Sequence, residues 1–126
     1  MATPLAKGYW VTLYISVQGN HFSLIRAMAT PKGYWVTLYK AITDPAKLSA
    51  YAALGGPAII AGGGKFIVRG LPTKVYEAGL HERTVIIEFP SVAQAIATHD
   101  SPAYKAALDA LEGGCVREIR ICEAAE

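Results

Sequence analysis

Two cysteines and three histidines among 126 residues leave little material for a metal centre or a disulfide framework. Cys115 and Cys122 are too few to staple a fold and read as small apolar residues rather than a redox pair. His21, His81 and His99 are too dispersed for metal-ligand spacing, and His81, beside Glu82 and Arg83, reads as a loop residue. No metal and no organic cofactor is therefore expected. No run reaches the ~18 uninterrupted apolar residues of a membrane span. Trp10 to Val17 is apolar but is broken by Thr12 and Ser16, with no small-residue cleavage site, so cytoplasmic residence is the expectation. Residues 1–31 contain no acid at all, only Lys7 and Arg26, whereas residues 32–126 hold ten bases and ten acids. Scattered signs of this kind give no electrostatic footprint for nucleic acid. There is no Gly-x-Ser-x-Gly elbow. The glycine runs Gly55-Gly56 and Gly62-Gly63-Gly64 do not follow a strand and open a helix, as a phosphate-binding loop must, and read as helix breakers and caps.

What the chain does contain is a duplication. Met1-Ala2-Thr3-Pro4 recurs as Met28 to Pro31, and Lys7-Gly8-Tyr9-Trp10-Val11-Thr12-Leu13-Tyr14 recurs letter for letter as Lys32 to Tyr39. Structural repeats that have diverged keep a pattern rather than a spelling. Two copies of one strand thus compete for one place in a sheet. With 52% hydrophobic and 17% charged residues, the length suits one domain with a full core. The chain divides into an extension, residues 1–31, and a domain, residues 32–126.

Tyr34 to Ile42 is a run of aromatic, β-branched and apolar residues with its first charge at Lys40, which predicts a strand covered on both faces. Thr43-Asp44-Pro45 starts a helix with a capping side chain and an N1 proline. Gly55-Gly56 breaks that helix, and Pro57 restarts a short piece. Lys65 to Arg69 alternates as a second strand, and Lys74 to Ala78 continues it beyond a bend. Glu82 to Phe89 is the third strand. Ser91 caps a helix that kinks or restarts at Asp100-Ser101-Pro102 and stops at Gly113-Gly114. Arg117 to Cys122 is the fourth strand. Upstream, Val11, Leu13, Ile15 and Val17 alternate with polar residues, Gly19-Asn20 is a turn candidate, and residues 9–27 read as a hairpin.

The order from Lys32 onward is β-α-β-β-α-β. Two βαβ halves give a ferredoxin-like α+β fold, a four-stranded antiparallel sheet with both helices on one face. The apolar residues on both faces of the first strand imply a partner on the bare side, most simply a homodimer, with a higher oligomer as a risk of the repeated strand. Gly33-Tyr34-Trp35, Asp44-Pro45 with Tyr51, Gly63-Gly64-Lys65-Phe66, Arg69-Gly70, Val85 to Ser91 and Asp100 to Tyr104 together resemble the family grouped as domain of unknown function 1330. The resemblance spans about residues 32–124. It implies a dimeric α/β-barrel fold, and no established reaction.

No motif of strong specificity marks a site. The candidate constellation is Glu88 and His99 as catalytic groups, with Arg69, Asp100, Tyr104 and Trp35 as substrate-binding residues. A carboxylate in an apolar strand has a raised pKa suited to proton transfer, and Arg69 would hold an anion. The competing reading pairs Glu88 with Arg69 across strands, leaves Asp100 as a cap, and packs Tyr104 and Trp35 in the core. Two functions follow. One is cofactor-free binding or conversion of a small organic molecule, by analogy with monooxygenases and isomerases of this fold. The other is a non-catalytic ligand-binding or assembly module, expected if Trp35, Tyr39 and Tyr104 fill the space between sheet and helices. For the repeat, the short connection to the first helix predicts that the second copy takes the core strand. The first copy is expected at a sheet edge or against another subunit.

Overall fold

The computed structural model describes residues 9–17 and 20–126, with side chains from Thr30 onward. In chain order its elements are β1 (Tyr9–Val17), β2 (Asn20–Ala29), β3 (Gly33–Ile42), α1 (Pro45–Ala61), β4 (Lys65–Gly70), β5 (Thr84–Phe89), α2 (Val92–His99), α3 (Pro102–Leu111) and β6 (Cys115–Glu123). A four-stranded sheet runs β4-β5-β3-β6, with every neighbouring pair antiparallel. This is the ferredoxin-like order, and its central strand β3 is the second copy of the repeat. The first copy, β1, pairs antiparallel with β2 in a separate two-stranded sheet, Val17 opposite Asn20. The hairpin reading of this segment holds; of the two places expected for the first copy, an edge of the main sheet or another subunit, the first is not taken within the chain. Gly19 of the expected turn lies outside the described residues.

Burial along β3 alternates from Gly33 to Lys40. Gly33, Trp35, Thr37 and Tyr39 face the helices, as do Val85, Ile87 and Phe89 of β5. The core is therefore the space between one sheet face and the helices, with Trp35, Tyr104, Phe89 and Ile87 its largest fully buried side chains. The Trp35 ring meets Tyr104 edge-on at 4.9 Å between centroids and stacks with Phe89 at 6.0 Å. Gly33 is obligatory in this packing, because a Cβ there would stand 2.7 Å from the Ser91 backbone.

The capping signals act as expected. Asp44 accepts from the backbone N–H groups of Ala46 and Lys47, Ser91 from Gln94, and Ser101 from Tyr104. The second helix restarts at Pro102, giving α2 and α3. Two further expectations fail. Helix α1 runs unbroken through Gly55, Gly56 and Pro57. Gly55 is buried, and its missing side chain makes room for the Tyr51 ring one turn earlier, 3.2 Å from where a Cβ would stand. Packing, not chain termination, explains that glycine. Lys74 to Ala78 is loop rather than strand. The β4–β5 ladder ends at Gly70 opposite Thr84, so residues beyond Gly70 have no strand to pair with, and Gly79 N–H closes a turn on Tyr76 C=O. Residues of this loop, among them Pro72, Val75 and Leu80, line a cleft of about 370 Å³ with Leu38, Thr84 and Glu118 on the sheet face away from the helices. That face is consequently not bare at this end.

Candidate functional site

On the helix side, β3, β5 and β6 deliver inward-facing residues beneath α1, and the packing is incomplete at one end. Thr37 and Tyr39 of β3, Arg117 of β6, Arg69 of β4, Arg83 and Val85 line a cleft there, closed by Phe66, Ile87 and the α1 residues Tyr51, Ala52, Gly56 and Ile59. Small residues on α1 keep it open, for a Cβ on Gly56 would meet no atom within 4 Å. The volume open to a water-sized occupant is about 60 Å³, room for a few waters or a carboxylate-sized group.

The polar centre is Arg117, carried on the inward row of β6 with Ile119 and Ile121. Its two terminal nitrogens donate to the Tyr39 hydroxyl at 3.0 Å and the Tyr104 hydroxyl at 3.3 Å. Its guanidinium also lies over the Tyr51 ring, 4.6 Å from the centroid. The Tyr51 and Tyr104 hydroxyls share a hydrogen bond of 2.6 Å. Burial alone would lower the Arg117 pKa, but the surrounding phenol oxygens more than offset it and the group stays charged. Burial raises the pKa of Tyr104, with Tyr51 adding to the effect. It raises that of Tyr39 too, partly opposed by Arg117. These phenols are protonated at neutral pH, so each accepts from Arg117 through its oxygen and keeps a proton to donate.

Arg69 extends over the Phe66 ring, 4.6 Å from its centroid, at the edge of the cleft. Among the described residues, the ion pairs are Lys32–Glu88, His99–Asp100, Lys105–Asp109 and Arg120–Glu118. None involves Arg69, Arg83 or Arg117. Thr37 is 3% exposed and accepts from Trp35 Nε1 at 3.0 Å. Its own hydroxyl proton, like that of Tyr39, finds no acceptor among the described residues. The cleft is rich in donors and positive charge and poor in acceptors.

Of the residues singled out from sequence, Trp35, His99, Asp100 and Tyr104 come together, whereas Glu88 and Arg69 lie apart from them and from each other. Glu88 points to the opposite sheet face, where Lys32 Nζ at 3.0 Å and the Tyr34 hydroxyl at 3.1 Å hold it. The Lys32 hydrogen bond, then that of Tyr34, pulls its pKa below the usual carboxylate value. The expectation of a raised pKa is thus overturned, because the carboxylate sits among donors rather than apolar groups. It does not pair with Arg69 either: their side chains lie on opposite faces, Glu88 facing Lys65 in the ladder and Arg69 facing Val85. His99 packs its ring on Trp35 and Tyr104, at 5.3 and 5.2 Å, with Nδ1 3.0 Å from Asp100. Neither His99 nor Asp100 lines the cleft. Trp35 is core, 1% exposed. Tyr104 is buried too, yet its hydroxyl reaches Arg117. Of the six, Arg69 lines the cleft and Tyr104 supports it. The sequence reading missed Arg117, Thr37, Tyr51 and Arg83. An arginine in phase with Ile119 and Ile121 in an alternating strand was the available signal. Among the described residues no group of three His, Cys, Asp or Glu side chains is placed to hold a metal ion, and no helix is long and apolar enough to cross a membrane.

The model of a family described as domain of unknown function DUF1330 matches residues 32–125. No curated protein matches the chain in sequence. Among solved structures, a protein of unknown function from Rhodopseudomonas palustris is similar at 17% identity and TM-score 0.61, over 76% of this chain and 84% of that one. SnoaB, a cofactor-independent oxygenase from Streptomyces nogalater, is similar at 15% identity and TM-score 0.54, over 77% and 96%. A putative antibiotic biosynthesis monooxygenase from Caulobacter crescentus CB15 follows at 17% and 0.51, over 76% and 92%. At these identities the likeness shows the fold alone.

Proposed function

The chain belongs to the DUF1330 family, and from that premise we propose that its cleft binds a small organic anion, with the acidic group seated against Arg117. One observation carries the reading: the buried hydroxyls of Thr37 and Tyr39 have no acceptor among the described residues, beside a guanidinium with no carboxylate partner. Donors whose only available acceptors are a few cleft waters gain from a ligand bearing lone pairs and negative charge, which meets both deficits. The volume of about 60 Å³ suits the acidic head of such a ligand, with any larger body reaching past Arg69 and Arg83. The phenols, held protonated, would donate to developing negative charge rather than abstract a proton. This favours binding and orientation over base catalysis by a side chain. Two structures of the same fold are described as oxygenases, so conversion of a small organic molecule without a cofactor extends the same proposal. The domain that does this is residues 32–126, with residues 1–31 an extension. We also read the sheet face away from the helices, with Tyr34, Val36, Leu38 and Ile86 half-buried and Val68 exposed, as the surface on which a second copy packs.

Titration calorimetry with acetate, pyruvate and benzoate tests the site. Binding should be seen for at least one acid and should weaken ~10- to 100-fold in Arg117→Met, the worth of a charge-assisted hydrogen bond. Glu88→Gln, on the far face, should leave it unchanged. Equal affinity in Arg117→Met, or no heat from any of the acids, refutes the reading.

A further inference from the structure

We propose that the first copy of the repeated segment is a spare central strand, able to occupy the slot between β5 and β6 when β3 cannot. The slot is demanding. It needs a glycine where β3 meets the Ser91 backbone, since a Cβ would stand 2.7 Å from it. Next it needs a tryptophan buried between Phe89 and Tyr104, a threonine to accept from the indole N–H, and a tyrosine to accept from Arg117. Gly33, Trp35, Thr37 and Tyr39 meet these demands, and the earlier copy repeats them as Gly8, Trp10, Thr12 and Tyr14. On the other face, Lys32 and Tyr34 hold Glu88, and Lys7 and Tyr9 repeat them. Beyond the identical stretch the substitutions are compatible: Ser16 falls at the position of the small Ala41, Val17 at that of apolar Ile42, and Ile15 at that of exposed Lys40. A register slip of a single residue would exchange the two faces, but a shift by the whole repeat preserves every inward position.

Connectivity alone separates the two arrangements. With β3 in place, residues 43–44 join the strand to α1, whereas with β1 in place residues 18–44 must do so. Logarithmic loop-closure entropy disfavours the longer connection roughly fifty-fold, and the β1–β2 pairing lost on exchange adds to this. The second copy therefore holds the slot in the native chain. A substitution that places an unpaired charge at Trp35 penalises that arrangement far more than fifty-fold, and the balance inverts.

The chain contains two tryptophans, which makes the exchange visible in the full-length protein. Trp10→Asp leaves Trp35 as the only tryptophan, in its known place, and Trp35→Asp leaves Trp10, each read by excitation selective for tryptophan over the seven tyrosines. The expected result is that both single variants unfold cooperatively and share one buried-tryptophan emission maximum, while Trp10→Asp/Trp35→Asp shows no cooperative transition. The proposal is overturned if Trp35→Asp is as unfolded as the double variant. It is equally overturned if the double variant folds, since tolerance of a charge in the slot would then explain rescue without exchange.

Discussion

Replacing Tyr104 with phenylalanine removes one oxygen from the centre of the network that positions Arg117. The ring contacts remain: Tyr104 is fully buried, edge-on to Trp35 at 4.9 Å and to Tyr51 at 5.9 Å, so no cavity of consequence opens. Two hydrogen bonds are lost. The one shared with Tyr51, 2.6 Å long, joins neutral groups and is worth ~1 kcal/mol. The one from Arg117, at 3.3 Å, is charge-assisted but long, which puts it near ~1.5 kcal/mol. The cleft is open to solvent, so water recovers part of the second. A net loss of ~1–2 kcal/mol follows, or ~4–8 °C in the thermal midpoint for a chain of 126 residues. Thermal unfolding followed by circular dichroism at neutral pH measures it, with Tyr76→Phe, exposed in the β4–β5 loop, as the control that leaves the midpoint unchanged. A Tyr104→Phe chain as stable as its parent would mean that solvent replaces both bonds without loss, and that Arg117 is not held by the phenols.

Two further outcomes are expected. Folded-state pKa values of Tyr39 and Tyr104 lie above that of a free phenol, so their contribution to stability is complete below pH ~10 and is lost as pH rises through the higher folded values. An alkaline absorbance titration should show these phenols ionising only as the chain unfolds, and complete ionisation in a still-folded chain would contradict the burial argued for them. Light scattering at micromolar concentration should return twice the 13.4 kDa chain mass, with an interface of at least ~1,600 Å² on the sheet face away from the helices. A monomer at that concentration removes this face as a contact.

Much of the backbone was legible in the sequence because it depends on neighbours along the chain. Asp44-Pro45, Ser91 and Ser101-Pro102 mark helix starts through side chains that reach N–H groups two or three residues on. The alternation of β3 fixes which residues turn toward the helices, and the short step from Ile42 to Pro45 selects the second copy for the central strand. What failed was set by contacts between distant residues. Gly55-Gly56 looks like a helix end, but the Tyr51 ring requires the gap at Gly55. Glu88 looks like a buried acid, but register places it opposite Tyr34 and within reach of Lys32. The cleft itself joins residues from β3, α1, β4, β5, β6 and the β4–β5 loop, with Arg117 78 positions along the chain from the Tyr39 whose hydroxyl it holds. An arginine among alternating isoleucines announces a charge on the inner face. Only the tertiary structure decides that three phenols, rather than a carboxylate, surround it.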